Sequence, residues 1–339
     1  MEAEREEMQA DKIRHLKIKA ALLAPVVFLL FLWVSNYGMK SGAEMVGAVL
    51  GTKEFESEEI IPESREVKIL FFGDLMFDRY IRQVSSVKGG DFIFQKVSDL
   101  MSGSDLVVAN LEGPITENKS VSVDSEIGSR NNYIFTFEKN LPECLARNNI
   151  GLVNLGNNHI LNFGKEGLAR TKEYLEGSGI GHFGHVEGPE GASVVRDVEG
   201  IKVAFVSYNE FARGSEETAL EKIRLLKDWS DVLVVYAHWD REYEKISRPS
   251  TKELARKFVD HGADLVIGSH PHVVQDQEDY KGKRIYYSLG NFVFDQYFDP
   301  NTQEGLAVGV SINSADFSMK FEETALIMER SGQTRVAGK

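Results

Sequence analysis

Asp231–Tyr243 (DVLVVYAHWDREY) and Ala263–Gln275 (ADLVIGSHPHVVQ), followed by Arg284–Asp295 (RIYYSLGNFVFD), decide how the rest of the chain is read. Each contains a short run of Val, Ile, Leu and Tyr bounded by glycine or polar residues, the pattern of a strand buried on both faces. The first two runs end in histidines: His238, and His270 with His272. Strands of an open α/β sheet bind ligands at their carboxyl ends. Three imidazoles gathered at strand ends therefore predict a metal or catalytic edge.

The same sequence of apolar strand and polar tip recurs upstream. VKILFF (67–72) runs into Gly73 and Asp74, DLVVANLEGPIT (105–116) carries Asn110 and Glu112, and GLVNLGNNH (151–159) ends in Asn157, Asn158 and His159. Helical spacing separates them across 92–101, 138–150 and 165–179, and again at 218–230 and 250–262 on either side of the His238 strand. Residues 193–210 read as a hairpin turning at Glu199–Gly200, and 305–313 with 317–328 as an antiparallel pair. The polar, patternless stretch 117–133 is a long loop, a lid or substrate-facing flap. Strands alternating with amphipathic helices make the class α/β.

The 339 residues are 42% apolar, ample for one large domain or two ordinary ones. A formal charge of −13, from 52 acidic against 39 basic residues, argues against nucleic acid as a partner. An anionic substrate needs a local cation or metal to draw it in. The single cysteine, Cys144, cannot close an internal disulfide and reads as a packing residue.

Compartment is written at the N-terminus. Ala20–Val34 is apolar and uncharged, no charge follows until Lys40, and about twenty residues suffice to span a bilayer. Lys12, Arg14, Lys17 and Lys19 precede it, which leaves the N-terminus in the cytoplasm. The expected organisation is a cytoplasmic segment 1–19, a single-pass cell-membrane anchor 20–39 (a retained anchor rather than a cleaved signal peptide), a linker 40–65, an extracytoplasmic domain 66–330 and a polar tail 331–339.

Collected along the chain, the strand ends supply Asp74, Glu112, Asn158, His159, His238, His270, His272 and Asn291. Carboxylate, amide oxygen and imidazole without thiolate suit one or two divalent ions such as Mn, Zn, Fe or Mg. Glu112 could bridge two ions about 4 Å apart. His159 is either an unligated imidazole that protonates a leaving oxygen or a hydrogen-bonded core histidine. Arg79 is either a fork for phosphate or carboxylate or a solvated surface arginine. Glu242 and Tyr243 either orient His238 from behind or belong to a solvated loop, and Asn291 is counted with them as a supporting neighbour.

With these tips assembled, the chain resembles the bacterial capsule-synthesis CapA family, also called PgsA or poly-γ-glutamate biosynthesis proteins, whose domain is similar to calcineurin-like metallophosphoesterases. Six ordered motifs between about Lys68 and Gln296 carry the resemblance: GDLMFDR (73–79), NLEGPIT (110–116), NLGNNH (154–159), HWDREY (238–243), GADLVIGSHPHVVQ (262–275) and YYSLGNFVFD (286–295). It implies a four-layer α/β/β/α sandwich. By similarity, Asp74 and His272 hold one ion, Asn158, His238 and His270 the other, Glu112 bridges, and His159 donates a proton. Phosphoesterases of this fold usually carry His two residues after the first Asp, where this chain has Met76, and many carry Asp at the bridging position; the capsule family shares both changes. Less usual within the family are Asp240 in place of glycine, Ser269 in place of a His before HPH, and Asn162 in place of an Asp after NNH. The implied function is capsule or poly-γ-glutamate synthesis or export, alongside capsule-synthase subunits and an anionic polymer. The alternative is a metal-dependent phosphoesterase acting on an envelope or extracellular phosphoester.

Overall fold

The computed structural model describes residues 65–338. The expected cytoplasmic segment, the anchor 20–39 and all of the linker but its last residue lie outside the described residues. Among those described, no helix is long and apolar enough to cross a membrane.

Two sheets and seven α-helices make up the described chain. One sheet has the spatial order β14 (Thr334–Val336), β13 (Met319–Met328), β12 (Glu304–Asn313), β1 (Glu66–Leu75), β2 (Leu106–Leu111), β3 (Ile150–Asn154) and β4 (Gly181–Phe183), with β11 (Asn291–Val293) added beside β1. β1 to β4 run parallel to one another, while β12 is antiparallel to β1 and β12 to β14 are antiparallel in turn. The second sheet has the order β5 (Ser193–Val198), β6 (Ile201–Asn209), β7 (Val232–His238), β8 (Leu265–Ser269), β10 (Lys283–Tyr286) and β9 (Gln277–Tyr280), parallel through its centre and antiparallel at both edges. The β5–β6 hairpin turns at Glu199 and Gly200, both at positive φ, the backbone that a tight two-residue hairpin loop demands.

Alternation along the strands sorts the core into three layers. On β1, Val67, Ile69 and Phe71 join Phe205, Val234 and Tyr236 of the second sheet in one apolar cluster between the sheets. Leu70 and Phe72 face the other way, onto α1 (Arg79–Lys88), α2 (Asp91–Phe94), α3 (Ser98–Ser102), α4 (Leu141–Arg147) and α5 (Gly164–Gly177). On β7, Leu233, Val235 and Ala237 face α6 (Ser215–Leu226) and α7 (Pro249–His261). Because successive side chains point to opposite faces and both faces are covered, every position must be apolar, which is why these strands read as unbroken runs.

Two expectations change. The single helix over 92–101 is broken between α2 and α3: the backbone there tightens to i→i+3 bonds, Gln95 N–H to the Phe92 carbonyl (3.3 Å) and Val97 N–H to the Phe94 carbonyl (2.9 Å), and the Gln333 amide also donates to Phe92 (2.9 Å). The polar tail 331–339 contains β14, where Thr334 is fully buried and Leu326, Ile327 and Met328 supply the pairing partners.

Register places the polar tips. In the first sheet Asp74 is opposite both Asn110 and Asn291, and Asn110 is opposite Asn154. In the second, Asn209, His238 and Ser269 line up across three strands. The crossing of β11 is tight: a Cβ on Gly73 would stand 1.8 Å from the Gly290 carbonyl oxygen, which accepts from the Asp74 N–H at 3.1 Å. Glycine at 73 is what lets the two carboxyl edges come together.

Candidate metal centre

Asp74, the last polar residue of β1, is fully buried. Its Oδ1 accepts from Asn110 Nδ2 (2.8 Å) and its Oδ2 from the His270 backbone N–H (3.1 Å). Glu112 follows β2 and is equally buried, yet neither carboxylate oxygen has a hydrogen-bond partner. His272 Nε2 is 3.5 Å and His159 Nε2 3.8 Å from Glu112 Oε1, and His272 Nδ1 is 3.4 Å from Asp74 Oδ2. Two groups of donors emerge, Asp74–Glu112–His238 and Glu112–His270–His272, each with its ligand atoms within 4.8 Å of one another. Glu112 belongs to both.

An isolated buried carboxylate costs several kcal/mol unless it is paired, protonated or bound to a cation. Burial, and then repulsion from Asp74, raises the Glu112 pKa well above its ordinary range. Burial likewise lowers His238 and holds His270 down to about 3, with neighbouring imidazoles adding to the effect. Neutral imidazole is the form that ligates metal. The orphaned oxygens of Glu112, the unpartnered His270 Nδ1 and these neutral rings fit a divalent cation.

The backbone pays for this convergence. His270 and His272 sit at φ 96° and 57°, a left-handed region that costs a non-glycine residue about 1–3 kcal/mol and persists only where the surroundings impose it. Pro271 between them and the Tyr243 N–H donating to its carbonyl (2.8 Å) hold the turn.

Supporting contacts fix the rings. Asn291 Oδ1 meets His272 Nδ1 at 2.9 Å, while Ser269 Oγ meets His238 Nδ1 at 3.0 Å and Asn158 Oδ1 meets His238 Nε2 at 3.0 Å. Of the two readings for Glu242 the structure gives the solvated loop: it is exposed and makes no hydrogen bond to His238, and the strand register puts Ser269 behind that ring. Arg79 is neither a free fork nor a solvated arginine. It pairs with Asp295, reaches Asn132 Oδ1 at 3.3 Å and lies over the Phe135 and Phe294 rings. His159 stands at the edge of the cluster, packed against Phe135 with centroids 4.4 Å apart and the rings tilted by 38°, its Nδ1 3.3 Å from Asn162 Oδ1. Burial brings its pKa down to about 4. Met76, at the position where many phosphoesterases have histidine, is wholly buried, and its sulfur accepts from the Asp78 N–H at 3.0 Å.

Several residues of the site fall outside the candidates collected from the sequence, Asn110 having been noted there only as a strand tip. Asn110 contacts Asp74, His238, Asn154 and Asn157 at once, and its signal is an amide ending an otherwise apolar strand. Phe211 packs its ring 4.6 Å from His270, and nothing in its neighbourhood announces this. Arg248 binds Asp240 Oδ1 at 2.6 Å and Glu210 at 2.7 Å. That cluster secures Asp240, which occupies φ 74° where glycine would be unstrained.

The model of the family described as bacterial capsule synthesis protein PGA_cap matches residues 68–296. The chain is 33% identical over 246 residues to the PGA biosynthesis protein CapA of Bacillus subtilis, covering 67% of this chain and 63% of that protein. It is 30% identical over 255 residues to the capsule biosynthesis protein CapA of Bacillus anthracis, covering 69% and 61%. A probable polyglutamine synthesis accessory protein of Mycobacterium tuberculosis is 24% identical over 221 residues, covering 57% of each. The match thus spans about three fifths of the length of these relatives.

Proposed function

We propose, since this chain belongs to the bacterial capsule synthesis protein PGA_cap family, that it takes a divalent-metal-dependent part in making or exporting an anionic polymer of the poly-γ-glutamate kind. In this reading residues 20–39 anchor it in the cell membrane with residues 1–19 in the cytoplasm. The domain, of the calcineurin-like metallophosphoesterase type, then works outside beside synthase subunits. The apolar stretch behind four basic residues supports the orientation, and the word "accessory" in the name of one relative supports the partnership.

The observation that carries the reading is the pair of donor groups sharing the unpartnered Glu112. Asp74, Glu112, Asn158, His238, His270 and His272 would hold one or two ions. A bound divalent ion supplies Lewis-acid polarisation of a phosphoryl or carbonyl oxygen. Asn291 and Ser269 keep the His272 and His238 rings turned so that the opposite nitrogens face the pocket. Titration of the chelator-stripped full chain with Mn²⁺ tests this. Saturable binding, abolished in Glu112→Gln and His270→Ala, is expected; absence of binding in the unaltered protein ends the proposal.

A second reading, a metal-dependent phosphoesterase, is favoured by one feature: His159 lies beside Glu112 but in neither donor group. There its imidazolium form, favoured when an anionic phosphoryl group lies beside it, could protonate a leaving oxygen. Turnover of an artificial phosphodiester with Mn²⁺ that falls about a hundredfold or more in His159→Ala while Mn²⁺ binding stays is the expected result for an enzyme. Metal binding with no turnover leaves the accessory role alone.

A further inference from the structure

Beside the donor cluster lies a groove of about 540 Å³ walled by α1, by the loop 117–133 and by residues 295–298. Exposed large apolar side chains gather on it: Tyr80, Ile127, Tyr133, Tyr243 and Phe298 all line it. Clustering of this kind, with polar neighbours, marks a binding surface. The charged residues that line it are Arg79, Asp295 and Arg330. Asp295 is taken by Arg79, so the groove carries a surplus positive charge in a chain whose net charge is −13. Arg330 is exposed, donates to the Tyr297 carbonyl (3.0 Å), lies 5.5 Å above the Tyr297 ring, and has no carboxylate partner among the described residues.

A chain of hydrogen bonds links the groove wall to the metal centre. Asn291 contacts His272 (2.9 Å) and donates to Gln296 Oε1 (3.1 Å), and Gln296 Nε2 donates to the Tyr243 hydroxyl at the groove wall (3.3 Å). The rings that flank Arg79 are those packed against the site histidines, Phe135 on His159 and Phe294 on His272.

We propose that this groove is the track along which an extended polyamide bearing spaced carboxylates lies, with Arg330 holding a carboxylate at the outer end and the Tyr243–Phe298 edge covering its methylenes. This rests on the polymer reading above for the chemistry of the chain that is bound. A neutral glycan would leave Arg330 unused. Ser122, Ser125 and Asn132 of the long loop line one wall and are bonded to one another and to Arg79, which holds that wall in place.

Fluorescence polarisation of a fluorescein-labelled oligo-γ-glutamate with the full chain, in excess chelator, measures the groove without any metal. Saturable, salt-sensitive binding is expected, weakened about tenfold in Arg330→Ala, the loss of one charge-assisted contact, and partly restored in Arg330→Lys. Phe298→Ala should weaken it several-fold without changing the salt dependence. Both side chains are exposed, so unchanged melting temperatures are expected. Equal binding by the unaltered chain and Arg330→Ala overturns the proposal. So does no binding at all, or displacement by a neutral dextrin as effective as by unlabelled oligo-γ-glutamate. Because the assay excludes metal, failure here leaves the Mn²⁺ reading standing, and failure of the Mn²⁺ titration leaves the groove standing.

Discussion

Asn291 shows how a single amide serves the site. Its oxygen orients His272, and its nitrogen ties the Gln296 amide oxygen and the His272 and Thr302 carbonyls. Loss of such a supporting partner usually costs 10–100-fold in metal affinity. Asn291→Ala is expected to weaken Mn²⁺ binding by roughly that factor, read by competition with a metal indicator, while Asn291→Asp, which keeps the acceptor, should retain most of it. Asp240 offers a stability test at the same scale. Asp240→Gly relieves a left-handed φ worth about 1 kcal/mol but strips Arg248 of one partner in a largely buried pair. Net destabilisation of about 1–2 kcal/mol is expected in urea unfolding, and no change would mean that Glu210 alone satisfies Arg248.

Among elements, the β1–β11 crossing is the most constrained. A methyl at Gly73 would overlap the Gly290 carbonyl at 1.8 Å, and backbone on a buried strand has nowhere to retreat. Gly73→Ala should therefore cost about 4 kcal/mol or more and lower metal affinity with it, since Asp74 and Asn291 are paired in register at that point. Between the sheets, Phe205 is fully buried against Phe71 and Phe183. Phe205→Ala should cost about 3–5 kcal/mol by thermal or urea unfolding while leaving the register of the strand tips intact. Strand positions were legible because two-sided burial forces unbroken apolar runs; the break between α2 and α3 was not, because one partner at that turn, Gln333, is 241 residues from Phe92.

For the molecule as a whole, acid should be destabilising. Folding depresses the pKa of His238, of His270 to about 3 and of His159 to about 4, from an ordinary 6.5. Below pH 6.5 the unfolded chain therefore takes up protons that the native state refuses. Stability from these groups is complete above that value and is lost as pH falls through the window toward 4 and 3. Glu112, raised above 4.5, acts in the opposite sense, its burial costing stability as pH rises. The melting temperature of chelator-treated protein should accordingly fall on acidification from about pH 6.5 to 4, more steeply in Glu112→Gln, where the opposing carboxylate is gone. Mn²⁺ at about a hundred times its Kd should add about 2.7 kcal/mol at neutral pH, raising the melting temperature several degrees, and the gain should vanish in acid as the ligands protonate.

By itself the sequence determined the class of the fold, the hairpin at Glu199–Gly200 and the carboxylates and imidazoles, Asp74, Glu112, His238, His270 and His272, that the structure gathers. These follow from local chemistry: periodicity set by burial, turn geometry, and side chains that bind hard or borderline cations. Tertiary structure alone decided that Glu112 belongs to both donor groups, that Ser269 rather than Glu242 stands behind His238, and that Arg79 is consumed by Asp295. Those outcomes depend on which residues strand register and the β11 crossing bring within a few ångströms, between positions up to 216 residues apart, and no local pattern encodes such a distance.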